Sequence, residues 1–171
     1  MALFSRRETP PTHVVSRLPR DERVVSWADV HDGGVVLATP RGLWWPDSDE
    51  HRLVGWQFVD KVIWRDGTLT VVEAEVVDDL LLVDRPPISA QLTRPRDLPP
   101  TVRRRVEANV VQSELRSLPG GAGRFVARRT PGRDGVVWRV RLEPGTPDTE
   151  QLRAHAGVIL GELRAEWAAE E

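Results

Sequence analysis

The sequence predicts an α+β fold that is mainly antiparallel β, and three observations carry that prediction. Short apolar runs with period-two alternation recur from Glu22 to Thr93, separated by Gly, Pro and Asp punctuation. Between Lys61–Arg65 and Thr68–Val77 stands Asp66-Gly67, a dipeptide that supplies the two positive-φ residues of a type I′ hairpin turn. Two segments, Leu98–Gln112 and the stretch from Asp148–Thr149 onward, instead repeat apolar residues at helical spacing.

Residues 1–19 hold three prolines and no periodicity, so they read as an arm with Val14, Val15 and Leu18 as its ordering contacts. Glu22–Ala28 is the first strand and Asp29–Gly34 its turn. Val35–Thr39 follows, then Pro40-Arg41-Gly42 turns into Leu43–Trp45. After the polar turn Pro46–Glu50 comes a strand through Arg52–Val54, and Val54, Trp56 and Phe58 share one face by alternation. In the second arm of the Asp-Gly hairpin the apolar set shifts from Leu69 and Val71 to Ala74 and Val76. One strand cannot bury both sets on one face, so a bulge or bend is expected near Val71–Glu73.

Leu80–Val83 and Ile88–Thr93 are the next strands, interrupted by Arg85-Pro86-Pro87. In the helix Leu98–Gln112, Asp97 is the cap, Pro99 and Pro100 suit the first turn, and Val102, Val106 and Val110 form the stripe. Leu118–Gly123 reads as a flexible break between strands Ser113–Leu118 and Arg124–Thr130. Pro131–Gly135 turns the chain into Val136–Leu142. The final helix carries Leu152, Ala156, Ile159, Leu160, Leu163 and Trp167 on a face wide enough to dock on a sheet.

This succession resembles the bacterial PH-like (pleckstrin-homology-like) fold. The residues that carry the resemblance are GGVVLATPRGLWW, from Gly33, and GWQFVDKVIWRDGTLTVV, from Gly55, with the helix from Leu98 as the end plug. It covers about residues 20–112, and is nearest to an Arg-rich bacterial group that carries this module plus a C-terminal extension. The resemblance implies a strongly bent sheet or barrel closed by a helix, followed here by a β-hairpin and helix over residues 113–171. It also implies a binding device rather than an enzyme, although a fold does not dictate a function. Phosphoinositide binders of the family carry basic residues in the first loop. Here that loop, Asp29–Gly34, is acidic and lacks Lys and Arg, so phosphoinositide is not expected as a ligand.

With 171 residues the chain can bury a core without staples, and it has no cysteine. That excludes disulfides, thiolate zinc sites, iron–sulfur clusters and thiol nucleophiles, and fits a reducing compartment. No window approaches the ~20 apolar residues of a membrane span, and the N-terminus has charges and prolines where a signal peptide needs an apolar run. The expectation is a cytoplasmic protein. Lys61 is the only lysine among 24 basic residues, a bias that a GC-rich genome explains.

The net charge of −2 hides a segregation: residues 1–84 carry net −6, residues 85–141 net +9, and residues 142–171 net −5. Asymmetry of this kind points to an anionic partner or to pairing between the blocks. If Phe125 and Ala127 share a face with Trp138 and Val140, then Arg124, Arg128, Arg139 and Arg141 share the other. Four guanidiniums on one small face suit phosphate or carboxylate, unless Glu114, Glu143 or the acidic C-terminal segment pairs with them. Arg103 and Arg104, on the polar side of the helix, are a second anion or partner-binding candidate. Together with the 85–141 block they open an alternative, a nucleic-acid- or ribosome-associated accessory protein, although no nucleic-acid motif is present. Trp44 and Trp45 cannot both point inward on a regular strand, so either one is a candidate partner anchor or both are buried between the strand face and the N-terminal arm. The pair and the final helix are also candidate homodimer contacts. The acidic turn Asp47–His51 lacks the spacing of a calcium loop, and no metal or cofactor is expected. No catalytic motif appears. The expected function is a non-catalytic binding or adaptor module that recognises a protein or an anion.

Overall fold

The computed structural model describes residues 8–170. Helix α1 (Thr12–Val15) lies in the arm, where Val14 and Leu18 bury against Trp27, Val35 and Leu37. Val15 is exposed, and the first seven residues of the predicted arm lie outside the described part.

Strands β1 (Ser26–Val30), β2 (Val35–Ala38), β3 (Gly42–Asp47) and β4 (Glu50–Gly55) form an antiparallel meander. Gly42 lets β3 press against β4. A Cβ there would strike the Val54 carbonyl oxygen and come within 2.8 Å of the Gly55 Cα, and neither backbone atom can swing aside. Gly42→Ala is therefore expected to destabilise by about 1–3 kcal/mol, read as a lower thermal midpoint. At Gly157 a Cβ meets nothing within 4 Å and the residue is helical, so Gly157→Ala should instead stabilise slightly.

Val54 and Trp56 do not share a strand face with Phe58. Gly55 ends β4, and Trp56–Phe58 is a 3-10 turn that carries the chain round a corner. Trp56 is buried there, with its indole N–H donating to the Thr39 carbonyl at 2.9 Å. The hairpin of β5 (Val59–Arg65) and β6 (Thr68–Val76) turns as expected, with Asp66 and Gly67 at φ 50° and 75°.

The expected irregularity is present, but the extra residue sits on the facing strand. Val59 pairs with Glu73 and Lys61 with Val72, which leaves Asp60 unmatched. Opposite this bulge β6 changes neighbours. Thr68–Val71 pair with β8 (Ile88–Arg94), and Ala74–Val76 pair with β7 (Leu81–Asp84).

Helix α2 (Leu98–Asn109) ends earlier than its periodicity suggests, because Val110-Val111 already belong to β9 (Val110–Leu118). Asn109 marks the switch, donating from its side-chain amide to the Arg129 carbonyl at 2.5 Å. The Asp97 carboxylate does not cap the helix; it accepts from Ser26 Oγ at 2.6 Å, while the Asp97 carbonyl takes the Thr101 N–H. The break read at Leu118–Gly123 is a tight hairpin turn, with Gly120 at φ 81° and Gly121 already in β10 (Gly121–Arg129). β11 (Val136–Leu142) and α3 (Glu150–Glu170) complete the chain, and Thr149 Oγ1 accepts the Leu152 N–H at 3.1 Å.

The strands join in the order β4-β3-β2-β1-β8-β6-β7-β11-β10-β9, with β5 on β6. All pairs are antiparallel except β7 with β11, where Leu81 meets Val140 and Leu82 meets Arg141 in parallel. The sheet is thus mixed and large, and it does not close into the expected barrel. Among the described residues β4 pairs only with β3 and β5 only with β6, and α2 packs against β5 and the 3-10 turn at this opening. The reason is the corner at Trp56–Phe58, which leads the chain from one edge to the other without a ladder between them.

Besides the cluster under the arm, two larger apolar cores result. Ala28, Val36, Leu43, Trp45, Leu69 and Val71 pack with Leu98 and Val102 of α2. Phe125, Ala127, Trp138 and Val140 pack under Leu152, Ala156, Leu160 and Leu163 of α3, the face predicted for it. None of the described helices is long and apolar enough to cross a membrane.

Helix α3 is also held by charge. Arg153 pairs with Asp148 at 2.6 Å and with Asp78, whose other oxygen accepts the Leu80 and Leu81 N–H groups at 2.8 and 2.9 Å. Those two backbone donors are the main cause of an Asp78 pKa below the ordinary carboxylate range, with Arg153 adding to it. A carboxylate whose pKa is lower folded than unfolded stabilises at neutral pH and loses that effect as pH falls through the folded value. Protection of the Leu80 and Leu81 amides, read as exchange relative to an unstructured amide at the same pH, is therefore expected to fall as pH drops through the folded value. In Asp78→Asn that protection should be reduced already at neutral pH, because the amide oxygen is the weaker acceptor and does not pair with Arg153.

Candidate functional site

Three clusters bear on function: the arginine face of the C-terminal hairpin, the tryptophan pair, and the open edge at β5. In the hairpin, Phe125 opposes Val140 and Ala127 opposes Trp138, so the alternation places Arg124, Arg128, Arg139 and Arg141 on the other face as expected. They do not form a bare cationic surface. Arg124 lies 3.6 Å from Glu143. Arg141 pairs with both Asp60 and Asp84. Arg128 is only 8% exposed; it donates to the Val59 carbonyl at 2.8 Å and approaches Asp60 to 3.6 Å.

Burial pushes the Arg128 pKa down, and the Arg141 charge adds to that, while Asp60 offsets part of it. Two guanidiniums thus share one carboxylate, and the bulged Asp60 is where they meet. The carboxylates come mainly from the first, acidic block rather than from the C-terminal segment. Glu114 instead pairs with Arg116. Only Arg139 of the four has no carboxylate within ion-pair distance among the described residues, and its Nε is buried without an acceptor.

The same neutralisation extends along residues 85–141. Arg85 lies near Glu73 and Glu75, and Arg96 pairs with Glu8 and Asp29 while stacking over Trp27 at 3.5 Å. Arg103 pairs with Glu107 one helical turn on, at 2.9 Å, and Arg104 reaches Thr101 Oγ1 at 3.4 Å. Both remain exposed on α2, as expected for its polar side. Much of the charge that the sequence segregates is re-paired by folding.

Trp44 and Trp45 point to opposite sides of β3; Trp45 is buried and Trp44 partly so. Trp45 lies in the first core. Trp44 packs against the cluster of Val14, Leu18 and Leu37, and its indole N–H reaches Glu22 at 3.0 Å and Thr39 Oγ1 at 3.2 Å. Of the two readings, cover by the arm is the one the structure has. Among the described residues the exposed tryptophan is Trp64, at 41%, beside Ile63 at 40%. It had a sequence signal: the V-x-W alternation ends at the Asp-Gly turn, where a strand runs past the core it covers.

Trp64 and Val62 line a cleft of about 750 Å³ between β5 and α2, with Pro99, Pro100 and Val106 on the helix side, and with both cations (Lys61, Arg96, Arg103) and carboxylates (Asp60, Glu107) in its lining. Its lining is mainly apolar. Because β5 pairs with β6 alone, its second backbone edge borders this cleft. Among the described residues no group of three or more His, Cys, Asp or Glu side chains could hold a metal ion, and His51 of the acidic turn bonds the Val35 carbonyl at 2.8 Å. Comparison of the chain with family models, with curated proteins and with solved structures returns no match.

Proposed function

We propose that the chain is a non-catalytic adaptor of PH-like type that takes an extended segment of a partner protein along β5. One observation carries this reading: β5 has a hydrogen-bonding partner on one side only, and its other edge borders an apolar cleft with a half-exposed tryptophan. Unpaired strand edges bind extended peptides through main-chain hydrogen bonds, and adjoining pockets read alternate side chains. Trp64 is the anchor, because tryptophan dominates binding energy where a partner can cover it. Asp60 and Glu107 offset Lys61, Arg96 and Arg103 in the lining, so the apolar contacts rather than charge select the partner.

Peptides selected from a random-sequence display library against the whole protein test the reading. Trp64→Ala should weaken the selected peptides about 30-fold, the loss expected of an anchoring tryptophan, and leave the thermal midpoint unchanged. Equal binding to Trp64→Ala would refute it.

The nucleic-acid alternative rests on the 85–141 block, where Arg85, Arg96, Arg103, Arg116, Arg124, Arg128 and Arg141 have carboxylate partners, while Arg94, Arg104, Arg105, Arg129, Arg133 and Arg139 have none within ion-pair distance among the described residues. With these pairs in place, random duplex DNA is expected to bind weakly at most at low salt, and no binding there eliminates the alternative. Binding that weakens steeply as salt rises would return that alternative to the front.

A further inference from the structure

We infer a second site, in the cleft beneath the β10–β11 turn, for a small organic oxyanion: a carboxylate or phosphate on an apolar body. This site is independent of the β5 edge. The cleft measures about 440 Å³, within the roughly 300–1,000 Å³ of small-molecule pockets and near their lower end, which suits a ligand of about one ring. Its polar wall includes Arg128, Arg133, Arg139 and Gln57, and no carboxylate lines it. Its apolar wall is Phe58, Leu82, Val126 and Val137.

The charge balance favours an anion. Asp60 is shared between Arg128 and Arg141, while neither Arg133 nor Arg139 has a carboxylate within ion-pair distance among the described residues. Two buried polar atoms of this cleft's own side chains also lack hydrogen-bond partners, Arg139 Nε and Gln57 Oε1. Five such atoms occur among the described residues, and two of the five belong to this cleft. Two in one arginine-lined cleft are explained when a ligand completes them. A guanidinium grips an oxyanion through two parallel N–H groups, and a swing of the Arg139 side chain brings Nε into that fork. The Gln57 amide packs against Gly55 with its oxygen buried, and turning out of that contact brings an N–H or a carbonyl to the same ligand. The apolar wall then covers the body that carries the head group.

Nitrogen-15 NMR of the arginine Nε–H groups in the whole protein tests this, with benzoate, phenyl phosphate and inorganic phosphate as probes. Benzoate or phenyl phosphate should shift the Arg139 Nε–H resonance saturably, and the tighter of the two identifies the head group. Arg139→Gln should weaken that probe about tenfold or more, in line with loss of a bidentate charged contact. Arg133 is exposed in the turn, so Arg133→Gln, with a smaller loss, keeps the test readable if Arg139→Gln does not fold. Trp64→Ala should leave the probe's affinity unchanged, which separates this site from the β5 edge. No saturable shift with either organic probe overturns the site, as does equal binding by a folded Arg139→Gln protein. Inorganic phosphate binding as tightly as phenyl phosphate overturns the apolar half of the assignment.

Discussion

Arg128→Ala is expected to destabilise the protein by about 2–4 kcal/mol, although most of the surrounding charge remains. The side chain is almost fully buried, and its guanidinium bridges β10 to the Val59 carbonyl and to Asp60, at the start of β5. Removing it leaves a buried carbonyl without its donor and takes away one of the two cations around Asp60. Arg141 still holds Asp60, and for that reason the loss should fall short of the 3–5 kcal/mol typical of a broken buried pair. Arg128→Met refills the space of the aliphatic stem and should recover part of the deficit. Chemical denaturation of the three proteins measures this. Equal stability of Arg128→Ala and the parent would show that the bridge contributes nothing.

Phe125→Ala should cost more, about 3–5 kcal/mol. The ring is fully buried at the centre of the second core, below α3, where a void cannot collapse without moving Trp138 or Leu152. The form of the transition matters as much as its midpoint. The parallel β7–β11 ladder and the Arg128 and Arg141 bridges tie the C-terminal hairpin to residues 59–84. One cooperative transition, shifted as a whole, is expected when tryptophan fluorescence and far-ultraviolet circular dichroism are followed together. Two transitions, with only the second lowered by Phe125→Ala, would show that residues 113–171 unfold as a separate unit.

The parts legible in the sequence are those decided by neighbours along the chain. The Asp66-Gly67 turn, the alternation of Val136–Leu142, the stripe of α3 and the common face of the four arginines all follow from local backbone geometry and side-chain period. The irregularity near Val72–Glu73 was legible too, because a change of face within one strand requires one. Which strand carries the extra residue was not, since pairing partners are not encoded in either strand alone. Errors gathered where a local signal has two readings. Alternate spacing at Val54, Trp56 and Phe58 suits a strand, but a 3-10 corner also buries Trp56. The glycines at 120, 121 and 123 suit a flexible break, but also a tight hairpin whose strand packs closely, as Gly123 does against Leu118 and Val140.

The candidate sites divide in the same way. Which residues share a strand face is a matter of period, and the sequence alone placed the arginines together. Whether a charge is free or paired depends on what folds over it. Asp60 and Asp84 reach Arg128 and Arg141 across 57 to 81 positions of chain, through a parallel pairing that no local pattern announces. Exposure of a tryptophan likewise depends on what covers it. The arm covers Trp44, while β5 runs past the first core and leaves Trp64 half open beside α2. Period and turn chemistry act over a few residues, so the sequence by itself determined the strands, the hairpin turn and the helix faces. Charge pairing and burial act through space, so only the tertiary structure decided which arginines are bridges, which cleft remains cationic and which strand edge stays open.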